Sequence, residues 1–153
     1  MTIRPGAFPD TVSEPVRQLL ETFYRLSNAA SSHNEHEKDE QKLVDLFTPD
    51  GVYEFAGTKN KGAQAILGFR KKLFNNVAHR DHPVVRVYSF GTNDRELLAL
   101  GEVEYRHPNG KSHTEEWAGR YSIVQDDAGA LKFQHVQIIL ASFFLTTCRQ
   151  GMS

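Results

Sequence analysis

The stretch LLALGEVEYRHPNGKSHTEEWAGRYSIVQ, residues 97–125, alternates apolar and polar side chains on both sides of Asn109-Gly110. A period of two marks a strand with one buried face, and Asn-Gly between two such runs favours a turn whose twist matches that of paired strands. The segment is therefore read as a long antiparallel hairpin. Outward from it the period continues, through Val84 to Phe90 before and Leu131 to Phe144 after. Gly91-Thr92-Asn93-Asp94 and Asp126-Asp127-Ala128-Gly129 are the joining turns. The four runs that open at Val84, Leu97, Ser112 and Leu131 make an antiparallel meander.

Ahead of the strands the period is that of helices. Ser13 stands at an N-cap position with Pro15 in the first turn, and Val16, Leu19, Leu20, Phe23 and Leu26 recur at helical spacing. A first helix is expected to run to about Asn28. AASSHNEHEKDE (29–40) is small and polar, then charged: a solvated connection becoming the exposed start of a second helix, whose apolar face is Leu43, Val44 and Phe47. That helix must stop before Pro49, and Pro49-Asp50-Gly51 reads as a turn. The short strand GVYEF follows, then a polar loop from Gly57 to Gly62. Ala63, Ile66, Leu67, Leu73 and Phe74 give a third helix ending near Asn75-Asn76. Three helices followed by a meander define an α+β domain. Its expected bounds are 13–145, after a flexible N-terminal segment (1–12) and before a C-terminal tail (146–153).

Among the 153 residues, 18 Lys+Arg stand against 19 Asp+Glu with no block of like charge. That excludes a basic phosphate-contacting face, so nucleic acid is not an expected partner. A content of 39% hydrophobic and 24% charged residues is that of an ordinary globule. Cys148 is the single cysteine, which rules out an internal disulfide. MTIRPGAFPD lacks the apolar run of an export signal, and the longest apolar stretch, Ile138 to Leu145, is far below the roughly 20 residues that span a bilayer. A cytoplasmic protein without a membrane partner is expected. GxGxxG after a strand, GxxxxGK[ST], HExxH and GxSxG are all missing, and neither a cofactor nor a metal is expected.

LFTPDGVYEF (46–55), KGAQAILGF (61–69), HRDHPVVRVYSFG (79–91) and GRYSIVQDDAGALKF (119–133), in this order, resemble the nuclear transport factor 2-like superfamily. Within it they resemble the SnoaL-like polyketide cyclase group, over about residues 14–140. The resemblance implies a cone-like α+β barrel, with three N-terminal helices on a strongly curved, mainly antiparallel sheet around a cavity open to small hydrophobic ligands. Members include isomerases, dehydratases, cyclases, epoxide hydrolases and proteins that only bind partners, so the fold does not decide the activity. The ketosteroid isomerase pattern is not met. Its aspartate base falls on Phe55, with Glu54 one residue off and therefore on the opposite face. Its tyrosine falls on Phe23, beside Tyr24, and its second aspartate near Gly119 or Tyr121. A different acid–base set in the same cavity is expected.

His79 and His82, with Asp81 to orient a ring, are the first choice for proton transfer. On a strand, positions three apart lie on opposite faces, which weakens a metal reading of the pair. The competing reading is a capped strand start with surface histidines. Alternation turns Glu115, Trp117, Gly119 and Tyr121 inward and Glu116, Ala118 and Arg120 outward. Glu115 beside Trp117 suits a general acid or base, against the plainer reading of an exposed strand end. Tyr121 suits a donor to a developing enolate or phenolate oxygen, against a ring that fills core. Tyr53 shares the parity of Phe55, and these two with Phe23, Tyr24 and Trp117 are the expected substrate-binding wall.

The other histidines read as structural: His33 and His36 in the charged connection, His107 and His113 exposed beside the Asn109-Gly110 turn, His135 interior or on a dimer face. Cys148 reads as an inert thiol. Apolar residues of both parities, such as Val84, Val85, Val87 and Tyr88, then Ile138 and Ile139, require both sheet faces to be covered; a homodimer through the sheet does this. Two functions remain open. One is a cofactor-independent isomerase, cyclase or dehydratase acting on a hydrophobic polyketide- or terpenoid-type natural product by general acid–base catalysis. The other is a non-catalytic small-ligand-binding or dimerisation module of the same fold.

Overall fold

In the computed structural model, which describes residues 3–28 and 33–141, the helical and extended periods separate as the sequence predicts. Helix α1 (Glu14–Ser27) buries Val16, Leu19, Leu20, Phe23, Tyr24 and Leu26 on one face. Its N-cap Ser13 makes no side-chain cap; the Ser13 backbone N–H instead donates to Asp94 Oδ2 at 2.9 Å. Helix α2 (His33–Val44) buries Leu43 and Val44, and helix α3 (Ala63–Leu73) buries Ile66 and Arg70. The side chains of residues 33–36, and with them the expectations for His33 and His36, lie outside the described residues, as do Ser142–Phe144, Cys148 and the tail.

The strands are β1 (Phe47–Phe55), β2 (Thr58–Lys61), β3 (His79–Asp81), β4 (Val84–Phe90), β5 (Asn93–Arg106), β6 (Ser112–Gln125) and β7 (Leu131–Leu140). They form one sheet in the order β2-β1-β7-β6-β5-β3, with β4 also on β5. The β1–β7 pair is parallel and the other strand pairs are antiparallel. Register shifts in β1, β4, β6 and their partners bend the sheet into a half-barrel, since each extra residue kinks its strand and sharpens the twist. The inner face carries Tyr53, Leu97, Ala99, Val103, Trp117, Tyr121, Phe133 and Val136, all buried in one core with the apolar face of α1. Each large apolar side chain so buried contributes roughly 1.5–3 kcal/mol.

Several local expectations are corrected. Pro49-Asp50-Gly51 is not a turn between elements but lies within β1, at its irregularity between Phe47 and Val52, where proline's missing N–H is tolerated. Phe47 is accordingly a strand residue. The polar loop 57–62 contains β2, a hairpin partner of β1 with Phe55 opposite Thr58. Ala56 and Gly57 make the turn with φ of 47° and 86°, the left-handed pair a tight hairpin needs. The N-terminal segment, expected to be loose, is pinned along β4: Arg4 N donates to the Val84 carbonyl at 3.0 Å and Val87 N to the Ala7 carbonyl at 2.8 Å. No helix among the described residues is long and apolar enough to cross a membrane.

Candidate active site

Side chains of α1, α3, β1 and the inner faces of β5–β7 leave a funnel-shaped hollow. Its outer chamber has about 380 Å³ of free space, with Phe69, Val77, His107, His113 and Glu115 in its wall. The inner recess narrows to about 20 Å³, little more than one water requires, between Tyr24, Ser27, Tyr53, Arg70, His82 and Trp117. Phe55, Phe74, Tyr105 and Leu140 border both parts, which therefore lie side by side.

β3 alternates as a strand must, with Arg80 fully buried and His79 and Asp81 half-buried beside it. Pro83 then interrupts the edge, and His82 leaves the ladder to enter the recess wall. Asn28, the C-cap of α1, holds it there. Asn28 Nδ2 donates to Asp81 Oδ1 at 2.9 Å, while Asn28 Oδ1 accepts from the His82 backbone N–H and faces His82 Nδ1, both at 2.9 Å. A carboxylate accepts only, so Asp81 fixes the orientation of the amide, and the amide oxygen requires the imidazole proton on Nδ1. Nε2 is left as an acceptor, and among the described residues nothing bonds to it. Burial, then the positive charges of Arg80 and Arg70, hold His82 well below the usual imidazole range, so the ring is neutral at pH 7.

Below His82 lies a buried ionic cluster that the sequence reading missed. Arg70 Nε and Nη2 form a fork on Glu40, at 2.6 Å to Oε2 and 2.9 Å to Oε1, and Nη1 donates to Tyr53 Oη at 3.2 Å. Arg80 Nη2 donates to the same Glu40 Oε1 at 2.8 Å and Nε to the Ser27 carbonyl at 2.9 Å, with its guanidinium 3.7 Å over the Phe74 ring. Burial opposes charge on Arg70, but Glu40, aided by Tyr53, more than offsets it and raises the pKa. Burial and then the neighbouring Arg70 push Arg80 down to about 10, still cationic at neutral pH. A signal was present: Glu40, Leu43 and Val44 share one helical face, as do Ile66 and Arg70, and Arg80 occupies the inward parity of its strand.

Tyr24 and Tyr121 share a hydrogen bond between their hydroxyls. Burial raises both phenols, so both stay protonated. Tyr24 stacks on Trp117, with ring centroids 5.1 Å apart, and Trp117 Nε1 donates to the Glu102 carbonyl at 2.8 Å. Trp117 lies over the neighbouring strand β5 and Tyr121 over its own strand because Gly101 and Gly119 have no side chain: a Cβ at Gly101 would collide with Trp117, and one at Gly119 with Tyr121. Tyr121 itself borders neither chamber, and its ring fills core between Phe23 and Phe133.

The predicted residues therefore separate. His82, Tyr24, Tyr53, Phe23 and Trp117 line the recess, Glu115 lines the outer chamber, and Phe55 borders both. Asp81 acts on His82 through Asn28. His79 borders neither chamber; the strand alternation that brings Arg80 inward turns it away, so the two histidines do not work as a pair. His107 and His113, read as exposed turn residues, stand in the outer wall, stacked with centroids 5.2 Å apart, and His113 Nε2 is 3.6 Å from Glu115 Oε1. Glu54 points to the opposite sheet face, where it meets His135 Nε2 at 3.3 Å and Gln137 at 3.2 Å. Among the described residues no three His, Cys, Asp or Glu side chains converge as metal ligands.

Three helices closing a curled, mixed sheet over a conical cavity constitute the nuclear transport factor 2-like fold. The chain is similar to nuclear transport factor 2 of Cryptosporidium parvum at 14% identity, covering 86% of this chain and 95% of that one with a TM-score of 0.63. A protein of Shewanella denitrificans OS-217 assigned as a SnoaL-like polyketide cyclase matches at 18% identity, 91% and 99% coverage and a TM-score of 0.62. TerC, co-crystallised with polyporic acid, matches at 13% identity, 88% and 97% coverage and a TM-score of 0.64. No protein-family model matches the chain, and no curated protein matches it.

Proposed function

We propose that this protein is a cofactor-independent isomerase, cyclase or dehydratase of the cytoplasm that moves a proton on a hydrophobic, polyketide- or terpenoid-type ligand. The observation that carries this reading is the Asp81–Asn28–His82 chain, which delivers a neutral imidazole with its basic nitrogen unengaged into an aromatic cavity. His82 Nε2 takes a proton from carbon next to a carbonyl, and the C–H electron pair moves onto the carbonyl oxygen. A hydroxyl of the recess donates to that oxygen, and return of the proton to a different atom completes the rearrangement. A base so weakened suits an acidic C–H flanked by two carbonyl groups or by a carbonyl and a ring. Glu115, in the outer chamber, is the second proton-handling group. The fold similarity to a SnoaL-like cyclase supports this class.

The test is exchange of the acidic carbon-bound hydrogens of 2-tetralone in D2O, followed by proton NMR. The protein accelerates exchange, and His82→Gln lowers the rate on the order of 10²–10⁴-fold while remaining folded. Exchange no faster than in buffer, or full activity in His82→Gln, refutes the reading and leaves a ligand-binding module.

A homodimer through the outer sheet face belongs to the same proposal. Tyr88 pairs with Leu98 across β4 and β5, Leu100 with Ala118 and Ala118 with Ile139, and Tyr88, Leu98, Leu100 and Ile139 are exposed. Arg120, opposite Leu98, lies on one side of this apolar row and the Glu102–Glu116 pair on the other. A two-fold axis through the row sets base against acid, which favours a second copy as the occupant.

A further inference from the structure

The polar groups of the inner recess are unequal in kind. Arg70 has five N–H groups and uses three, two on Glu40 and one on Tyr53. The Tyr53 hydroxyl oxygen accepts from Arg70, so its own proton points elsewhere, and it finds no acceptor among the described residues. Ser27 Oγ is buried and has no hydrogen-bond partner among the described residues. The Tyr24–Tyr121 pair holds two hydroxyl protons, of which the bond between them uses one. Against this surplus the recess wall offers one side-chain acceptor that cannot also donate, His82 Nε2. Arg70, Tyr53 and Ser27 are each at least nine-tenths buried, and all three border the recess.

Buried donors left unmatched are costly, and what removes the cost is an acceptor-only group. An ionised oxygen is such a group, and its charge is stabilised where a guanidinium and hydroxyls converge in low dielectric. The field has the right sign, because the two arginines already disfavour a proton on His82. Size narrows the class further. A recess of about 20 Å³ admits an oxygen atom but not a ring, whereas the outer chamber of about 380 Å³, walled by Phe55, Phe69 and Tyr105, accommodates one.

We infer that Arg70, Tyr53 and Ser27 form an oxyanion-binding subsite, and that the ligand is an aromatic or polyketide-like acid inserting a carboxylate or phenolate oxygen into the recess while its rings stay in the outer chamber. The assignment rests on the reading of this cavity as a ligand site. It adds the charge and the orientation of the ligand, which the proton-transfer reading leaves open.

The experiment is calorimetric titration of the full chain with 2-naphthoate and with its neutral isostere 2-naphthamide, together with 4-nitrophenol, whose anion is seen by absorbance. The acid binds at least tenfold more tightly than the amide, or bound nitrophenol ionises at lower pH than free nitrophenol; the first result places a carboxylate in the subsite and the second a phenolate. Ser27→Ala and Tyr53→Phe, which leave the Arg70, Glu40 and Arg80 charges in place, each weaken the anion three- to tenfold and weaken naphthamide less, so that the preference for the acid narrows. Equal affinity for acid and amide without a nitrophenol shift overturns the subsite, as does undiminished anion binding in both variants. Tetralone exchange with no anion preference refutes the subsite alone, and anion preference without exchange refutes the catalytic reading alone.

Discussion

Asn28 Oδ1 lies 2.9 Å from both the backbone nitrogen and Nδ1 of His82, so a single amide oxygen sets where the imidazole stands and which nitrogen carries its proton. Asn28→Ala removes that constraint and releases the other tautomer. Loss of a bond of this kind corresponds to about 1.5 kcal/mol, or roughly tenfold in the rate of tetralone exchange. Nitrogen-15 NMR of the ring reads the tautomer directly; an unchanged Nδ1–H signal with an unchanged rate counts against the assigned role of Asn28.

His82 also predicts how stability follows pH. Its folded pKa is depressed, so between that value and the unfolded value of about 6.5 the unfolded chain binds the extra proton. Stability therefore falls as pH drops below about 6.5, by up to about 1.4 kcal/mol per pH unit from this one group. Urea unfolding of wild type and His82→Gln across that range isolates the contribution. Parallel pH dependences in the two proteins contradict it.

The Arg70–Glu40 fork predicts a large effect from a single truncation. Arg70→Met leaves Glu40 buried without two of the three donated bonds described above, a loss of about 3–5 kcal/mol. Arg70→Lys keeps the charge without the planar fork and falls between the two. Chemical denaturation ranks the three proteins.

Gly101→Ala drives a methyl group into the Trp117 indole and to within 2.7 Å of the Pro83 carbonyl oxygen. Backbone on one side and a stacked ring on the other leave little room to relax, and about 1–3 kcal/mol of stability is lost. The tryptophan is the only one in the chain, so its fluorescence reports the displacement.

Leu100→Glu puts a carboxylate in the middle of the exposed apolar row of the sheet. Light scattering after size exclusion then gives a monomer mass where the wild type gives a dimer mass, with the fold unchanged by circular dichroism. A wild type that is monomeric at every concentration disproves the two-fold interface.

What the sequence revealed, and what it hid, has a physical pattern. Along β6 one face is buried and the other meets water, so the inward set of Trp117, Gly119 and Tyr121 is readable from alternation. On β7 the buried positions run Phe133, Val136, Ile138, because a register shift opposite Ser122 and Ile123 puts Gln134 and His135 side by side between them, and no hydrophobic pattern announces such a step. TKNK has no apolar residue at all, yet becomes β2 because β1 supplies a partner and Ala56-Gly57 the turn. The site was half visible. Tyr53 and Trp117 follow from strand parity, Tyr24 from the resemblance and His82 from its place in the 79–82 cluster, whereas Arg70, Arg80 and Glu40 were passed over because charged side chains are buried only in one another's company. Asn28 was invisible for another reason: its partners Asp81 and His82 lie more than fifty positions along the chain.

The bonds that tie Arg4 and Ala7 to β4 carry a further consequence. Without them, the outer rim of β4 would offer free amides and carbonyls to any extended peptide, the usual starting point for strand addition and aggregation. The segment from Arg4 to Ala7 thus acts as a guard rail for the sheet, and changes made there bear on colloidal behaviour before they touch the cavity.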